Sequence, residues 1–334
     1  MVKHSKSKLT DNRIAYKPFA FPEFYEFWHR HEQEHWIANE VNLHRDIVDW
    51  NTKLSEGEKN FLTQVLRFFT QGDIDVAGSY VANYLPHFPI TEARMMLLGF
   101  AAREAVHIDG YSHLITTLGL PDAIYSEFME YEEMRAKHQF LMEVNEQEHT
   151  EAQIAHNIAV FSGLTEGVQL FSSFAMLLNF ARNNVLPGLG QIIIYSIVDE
   201  NLHCEGMTAL FKAYVKEHPG LVNDEFKKGI YDAARKMIEL EDKFIDLAFA
   251  SAGGVMRRLT ADEVKKYVRY LADRRLIGLG LKGIFGVKKN PLPFMEEMTT
   301  SAGHTSFLEI KATEYSKGNF SGTWGEVWAS NREA

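Results

Sequence analysis

EAVHIDGYSH at 104–113 and DENLH at 199–203 decide how this chain is to be read. Each carries Glu-x-x-His, a spacing that sets a carboxylate and an imidazole about 60° apart on a helix and roughly 4.5 Å along it. Both side chains can then reach one metal ion. The motif alone is weak, because the chain contains five copies: Glu26/His29, Glu32/His35, Glu104/His107, Glu146/His149 and Glu200/His203. Context separates them. The first two lie in EFYEFWHRHEQEHW and the fourth in NEQEHTEAQ, stretches thick with charge that read as exposed helix faces. The other two lie on apolar stripes. Steps of three and four from Glu104 meet Leu97, Phe100, Tyr111 and Leu114, and from Glu200 they meet Ile193, Ile197, Met207 and Phe211.

A carboxylate facing a core is very unfavourable without a counter-charge. Two such pairs on two helices therefore call for cations and for further buried acids. Glu166 lies inside apolar IAVFSGLTEGVQLFSSFAMLL, and Asp73 continues the row Val65, Phe69, Ala77. Asp75 falls about 200° away, towards Gln64 and Gln71, and is the poorer ligand. The expected set is Asp73, Glu104, His107, Glu166, Glu200 and His203. Its carboxylates carry a charge that two divalent ions neutralise. One acid from each of two helices, with Glu-x-x-His from each of two others, is the pattern of four-helix di-metal carboxylate proteins. Oxygen ligands with two imidazoles suit iron or manganese better than copper or structural zinc.

The rest of the chain agrees with a long-helix bundle. Helical periodicity dominates, with expected helices at about 57–86, 91–119, 121–148, 152–183, 185–216, 222–252 and 260–275. Breaks fall at Pro86 and Pro89, Gly119–Pro121, Pro187–Gly190 and Pro219–Gly220. Three parts are expected: an arm with short helices at 1–56, a helical domain at 57–310 and a flexible tail at 311–334. The tail mixes Gly, Ser and charge with isolated Tyr315, Phe320, Trp324 and Trp328, too few to build a core but spaced like anchors for a partner groove.

Composition narrows the function. With 46% hydrophobic residues and 12% aromatic, the 334 residues can bury a sizeable core, and a net charge of −10 argues against nucleic-acid binding. The lone Cys204 excludes an internal disulfide and any CxxC motif, and fits a reducing, cytoplasmic setting. The most apolar stretch, 154–182, carries Glu166 near its centre and reads as a core helix, not a membrane span.

TQGD at 70–73, EAVHIDGYSH at 104–113, Glu166 and DENLH at 199–203 together resemble the small (beta) subunit of class I ribonucleotide reductase, from about Trp36 to the C-terminus. The resemblance implies an all-α, ferritin-like homodimer that generates an oxidant. In that family two metal ions react with dioxygen or superoxide and the oxidising equivalent is stored on a tyrosine. It then passes to a cysteine of a separate large subunit, where ribonucleotides are reduced. Tyr111 matches the radical tyrosine, and it lies on the ligand stripe by spacing as well. Trp36 and Asp199 match the transfer route through the metal-bound His107, and Tyr315 the relay tyrosine of the tail that docks on the large subunit. Asp73, Glu104 and His107 are expected at one metal, and Glu166, Glu200 and His203 at the other, with the bridging carboxylates unassigned. The resemblance leaves open di-iron, dimanganese or mixed centres, and whether a flavoprotein supplies superoxide. Ser196 departs from it, being polar where an aliphatic residue is expected beside Tyr111. Two alternatives share the scaffold: another oxygen-activating oxidase or desaturase, and an iron-storage protein.

Overall fold

The computed structural model describes residues 8–145, 150–254 and 256–305. Among the described residues twelve α-helices follow in order: α1 Pro22–Gln33, α2 His44–Thr52, α3 Glu56–Ser79, α4 Thr91–Thr117, α5 Ile124–Glu127, α6 Glu132–Asn145, α7 Glu151–Asn157, α8 Leu170–Arg182, α9 Pro187–Glu217, α10 Asp224–Ser251, α11 Ala261–Gly278 and α12 Phe294–Thr305. Among the described residues there is no strand beyond the isolated bridge between Met256 and Leu259.

Local chemistry sets the helix starts. Ser55 with Glu58, Thr150 with Gln153, and Thr260 with Glu263 form reciprocal capping boxes at α3, α7 and α11. Asn223 caps α10, and prolines occupy the first turns of α1 and α9. The first turn of α9 is also held from a distance. Asp46 on α2 accepts from the backbone N–H groups of Gly188 (2.9 Å) and Leu189 (2.7 Å). A buried carboxylate there satisfies two of the helix's unpaired donors and complements the positive end of its dipole.

Two stretches are wound more widely than an α-helix. Tyr80–Tyr84 continues α3, and Ile158–Gln169 joins α7 to α8, both as π-helix. The expected helix at 152–183 is therefore continuous but over-wide at its centre, where Glu166 sits. Wide turns of this kind concentrate at functional positions. The expected helix at 121–148 breaks instead. Tyr131 is extended between a short turn at Phe128–Glu130 and α6, and Arg67 lies over its ring while pairing with Glu127.

α3 packs along α4, and α9 along the Ile158–Gln169 segment and α8. These elements enclose the core, with α10 and α11 closing one side. α1 lies against α4 and α9, burying Phe24, His31 and the following Trp36. Glu151–Arg182 is long and apolar enough to cross a membrane, but its most apolar window is wholly buried inside the bundle.

Candidate metal centre

The six expected ligands come from four elements and meet in the core. Asp73 comes from α3, Glu104 and His107 from α4, Glu166 from the π-helical segment, and Glu200 and His203 from α9. All six are buried to 1% exposure or less. The geometry forms two groups whose donor atoms lie within 4.8 Å of one another: Asp73, Glu104 and His107, and Glu104, Glu200 and His203. Glu104 belongs to both, so it is the one carboxylate that could serve two cations. Glu166 stands at the edge of the second group, with Oε2 3.7 Å from His203 Nδ1 and accepting from Tyr80 Oη at 2.9 Å. The expected division left the bridging carboxylates unassigned; in the structure Glu104 is the acid common to both groups.

The protein alone does not satisfy these groups. Asp73 Oδ2, Glu166 Oε1, both Glu200 carboxylate oxygens and His203 Nδ1 are buried without a hydrogen-bond partner. Glu104 Oε1 lies 3.1 Å from His203 Nδ1 without the alignment of a hydrogen bond. Unpaired buried carboxylate oxygens facing one space are what a pair of hard cations requires. The residues present therefore fit two metal ions.

The charges of the cluster are strongly perturbed. Burial, then the neighbouring Glu104, pushes the Asp73 carboxyl well above the carboxylate range. Burial and then Glu200 do the same to Glu166. Burial also works against Glu104, but the facing His107 and His203 outweigh it and hold Glu104 at about 2. For His203, burial opposes protonation, yet the Glu104 and Glu200 carboxylates lift it to about 10. His107 is raised well above its usual value against burial, by Glu104 and by its bond to Asp199. Acids with raised values beside bases with raised values describe a pocket in which protons hold the places that metal ions would take.

Beside the cluster, Asp199 collects three partners. Its Oδ2 accepts from Trp36 Nε1 (2.8 Å) and His107 Nε2 (3.1 Å), and its Oδ1 from Arg103 (2.5 Å). The Trp36 indole lies so close over α4 that a Cβ on Gly110 would meet its ring at 2.9 Å. Tyr111 lies beside the ligands, 2% exposed, its ring 4.6 Å from that of Phe69, which in turn stacks on Phe174. Its hydroxyl donates to Ser196 Oγ at 2.7 Å, and Ser196 donates to the Ile192 carbonyl at 3.1 Å. The polar Ser196 is thus the partner of the buried phenol.

Asp75 accepts from Gln71 and pairs with His138 instead of joining the cluster. Glu26, His29, Glu32 and His35 are exposed, and Glu146/His149 lie outside the described residues. So do Tyr315 and the tail at 311–334. Sequence reasoning missed His31, Tyr80 and Arg103. His31 Nε2 lies 3.1 Å from His203 Nε2, and burial, then the nearby His203 and Arg103, hold its basicity far below the ordinary value. The signal for it was the step of seven from Phe24, which puts both on one face of α1 despite the charged surroundings.

A family model described as "Ribonucleotide reductase, small chain" matches residues 13–291. The chain belongs to this family. It is 42% identical to the probable ribonucleoside-diphosphate reductase small subunit of invertebrate iridescent virus 6, over 96% of this chain and 98% of that one. The corresponding protein of invertebrate iridescent virus 3 is 46% identical, over 95% and 88%. A ribonucleoside-diphosphate reductase small chain of Saccharomyces cerevisiae is 30% identical, over 91% and 74%. Among solved structures, a class I ribonucleotide reductase protein of Bacillus halodurans superposes with a TM-score of 0.77 at 21% identity, covering 83% of this chain and all of that one. A dimanganese(II) NrdF of Streptococcus sanguinis gives 0.76 at 21%, covering 86% and 99%. At that identity the structural likeness speaks for the fold, which is the all-helical bundle of the family.

Proposed function

We propose that this chain is the radical-generating small subunit of a ribonucleoside-diphosphate reductase, active only with a large subunit. The observation that carries the reading is the buried set of four carboxylates and two imidazoles, in which at least one oxygen of every carboxylate, and His203 Nδ1, is buried without a hydrogen-bond partner, in a chain of this family. Two ions, iron, manganese or one of each, would be held by Asp73, Glu104 and His107 on one side and by Glu104, Glu200, His203 and Glu166 on the other. When bound, they supply reactivity towards dioxygen or superoxide.

The chain's own residues have distinct parts in this reading. Glu104 would be shared by the two ions. Tyr111, enclosed by Phe69 and hydrogen-bonded to Ser196, would store the oxidising equivalent in a site closed to water. Asp199 orients His107 and joins it to Trp36, which gives a continuous hydrogen-bonded route from ligand to indole. Tyr315 would continue that route, and the tail beyond it would dock on the large subunit. Homodimer assembly and a cytoplasmic setting belong to the same proposal.

The experiment is metal analysis with EPR on apoprotein reconstituted separately with Fe(II) and Mn(II), then exposed to air or superoxide. Two ions per chain and a tyrosyl signal lost in Tyr111→Phe establish the reading. A coupled manganese signal without an organic radical, in protein active with its large subunit, moves the oxidant onto the metals. No stoichiometric metal refutes it. Truncation before Tyr315 should abolish activity and leave metal content unchanged.

A further inference from the structure

The two histidines of the cluster are backed by different chemistry. His107 turns Nδ1 towards Glu104 (3.2 Å) and Glu200 (3.4 Å), and its Nε2–H points at a carboxylate, Asp199. His203 turns Nδ1 towards Glu104 (3.1 Å) and Glu200 (3.5 Å), while its Nε2 meets another imidazole, His31 Nε2, at 3.1 Å. If Nδ1 is the atom that faces the cations, the hydrogen of His203 must sit on Nε2, and only a lone pair on His31 can receive it. The hydrogen of His31 is then on Nδ1. A His31 bearing hydrogens on both nitrogens would set N–H against N–H across 3.1 Å.

Arg103 fixes both arrangements at once. It donates to Asp199 Oδ1, and from its other terminal nitrogen to the His31 carbonyl at 2.8 Å. The His31 ring is further held edge-on against Phe100, with ring centres 5.2 Å apart. Neither partner of the two histidines can drift without disturbing the other.

We propose that His31 is the positioning residue of the His203 metal position, fixing that imidazole's tautomer as a neutral acceptor and so making the two metal positions unequal. An anion accepting from an imidazole N–H strengthens the opposite nitrogen as a ligand more than a neutral ring does. The position that includes His107, backed by Asp199, is therefore the tighter, and the one that includes His203 the weaker. The inference rests on the two-ion reading of the cluster and adds an order to it.

Stepwise Mn(II) titration of apoprotein, with free ion counted by EPR, tests it without any turnover. Wild type should take up two ions with resolved affinities. His31→Leu should weaken the second ion by about 10–100-fold and leave the first within about twofold. His31→Gln, whose amide oxygen accepts the same hydrogen bond, should restore most of the loss. Asp199→Asn should act on the first ion instead. Circular dichroism and melting of each apoprotein separate this from misfolding, and the Gln variant carries the test should the Leu variant not fold. A folded His31→Leu protein that binds both ions as wild type, or weakens both equally, overturns the inference, as does a Gln variant no better than Leu. Wild type that takes up no stoichiometric ion overturns the two-ion reading itself, a result told apart from these by wild type alone.

Discussion

Trp36 donates its indole hydrogen to Asp199 Oδ2 at 2.8 Å, joining the segment after α1 to the middle of α9. The same oxygen receives the His107 N–H. Trp36→Phe removes one donor and keeps an aromatic ring on Gly110. It should leave metal content and melting temperature near wild type and cut turnover with the large subunit by about 10–100-fold or more. Full turnover in that variant would show that the indole packs there and carries nothing.

Ser196→Ala leaves the Tyr111 hydroxyl buried without its acceptor. An unmet buried hydroxyl costs about 1–3 kcal/mol, to be read as a lower urea midpoint of the apoprotein. The EPR spectrum of any Tyr111 radical should change as well, since its oxygen loses a hydrogen-bonding neighbour. An unchanged spectrum in the folded variant would remove Ser196 from the site.

The pH dependence of the metal-free protein follows from the cluster. His203 is raised to about 10 when folded, so its contribution is fully present below its ordinary value of 6.5 and is lost as pH rises towards 10. Asp73 and Glu166, also raised, lose their contributions in the same direction. Glu104, lowered to about 2, acts oppositely, its contribution disappearing only as pH falls from 4.5 through that value. The apoprotein should thus melt lower at about pH 9.5 than at pH 6, by an amount on the order of a few kcal/mol. Metal ions displace those protons, so loaded protein should lose most of this slope and release protons on binding, measurable by calorimetry in two buffers. Equal slopes with and without metal would contradict the account.

Away from the cluster, Lys137 is fully buried against Glu241 at 2.5 Å, with its ammonium 3.6 Å from the centre of the Phe68 ring. Ser172 donates to the same carboxylate at 2.6 Å. Lys137→Met strands that carboxylate and should cost about 3–5 kcal/mol. The double variant Lys137→Met with Glu241→Leu should recover most of the loss, as a double-mutant cycle in urea would show.

The bundle and the buried cluster of acids and histidines were legible because apolar stripes interrupted by acids leave few physical alternatives. Asp73 was separable from Asp75 by helical phase alone. The wide turns around Glu166 were not, since one extra residue per turn depends on packing against α9 and leaves no periodic mark of its own. His31 was obscured for another reason. Its neighbours Glu32, Glu34 and His35 advertise a solvated face, while burial is decided by the face of α1 that meets α4. The shared position of Glu104 is a property of three helices meeting, which spacing along one helix does not contain.

The order of the ligands along the chain bears on how the protein is made. Asp73, Glu104 and His107 sit on two successive long helices, and that group is complete once residue 107 has been synthesised. The group that shares Glu104 needs Glu200 and His203, and the first turn of the α9 that bears them is held by Asp46. On the two-ion reading, a nascent chain on the ribosome could therefore offer one metal position at most until α9 emerges, and a second ion would be acquired only after about three-fifths of the polypeptide exists.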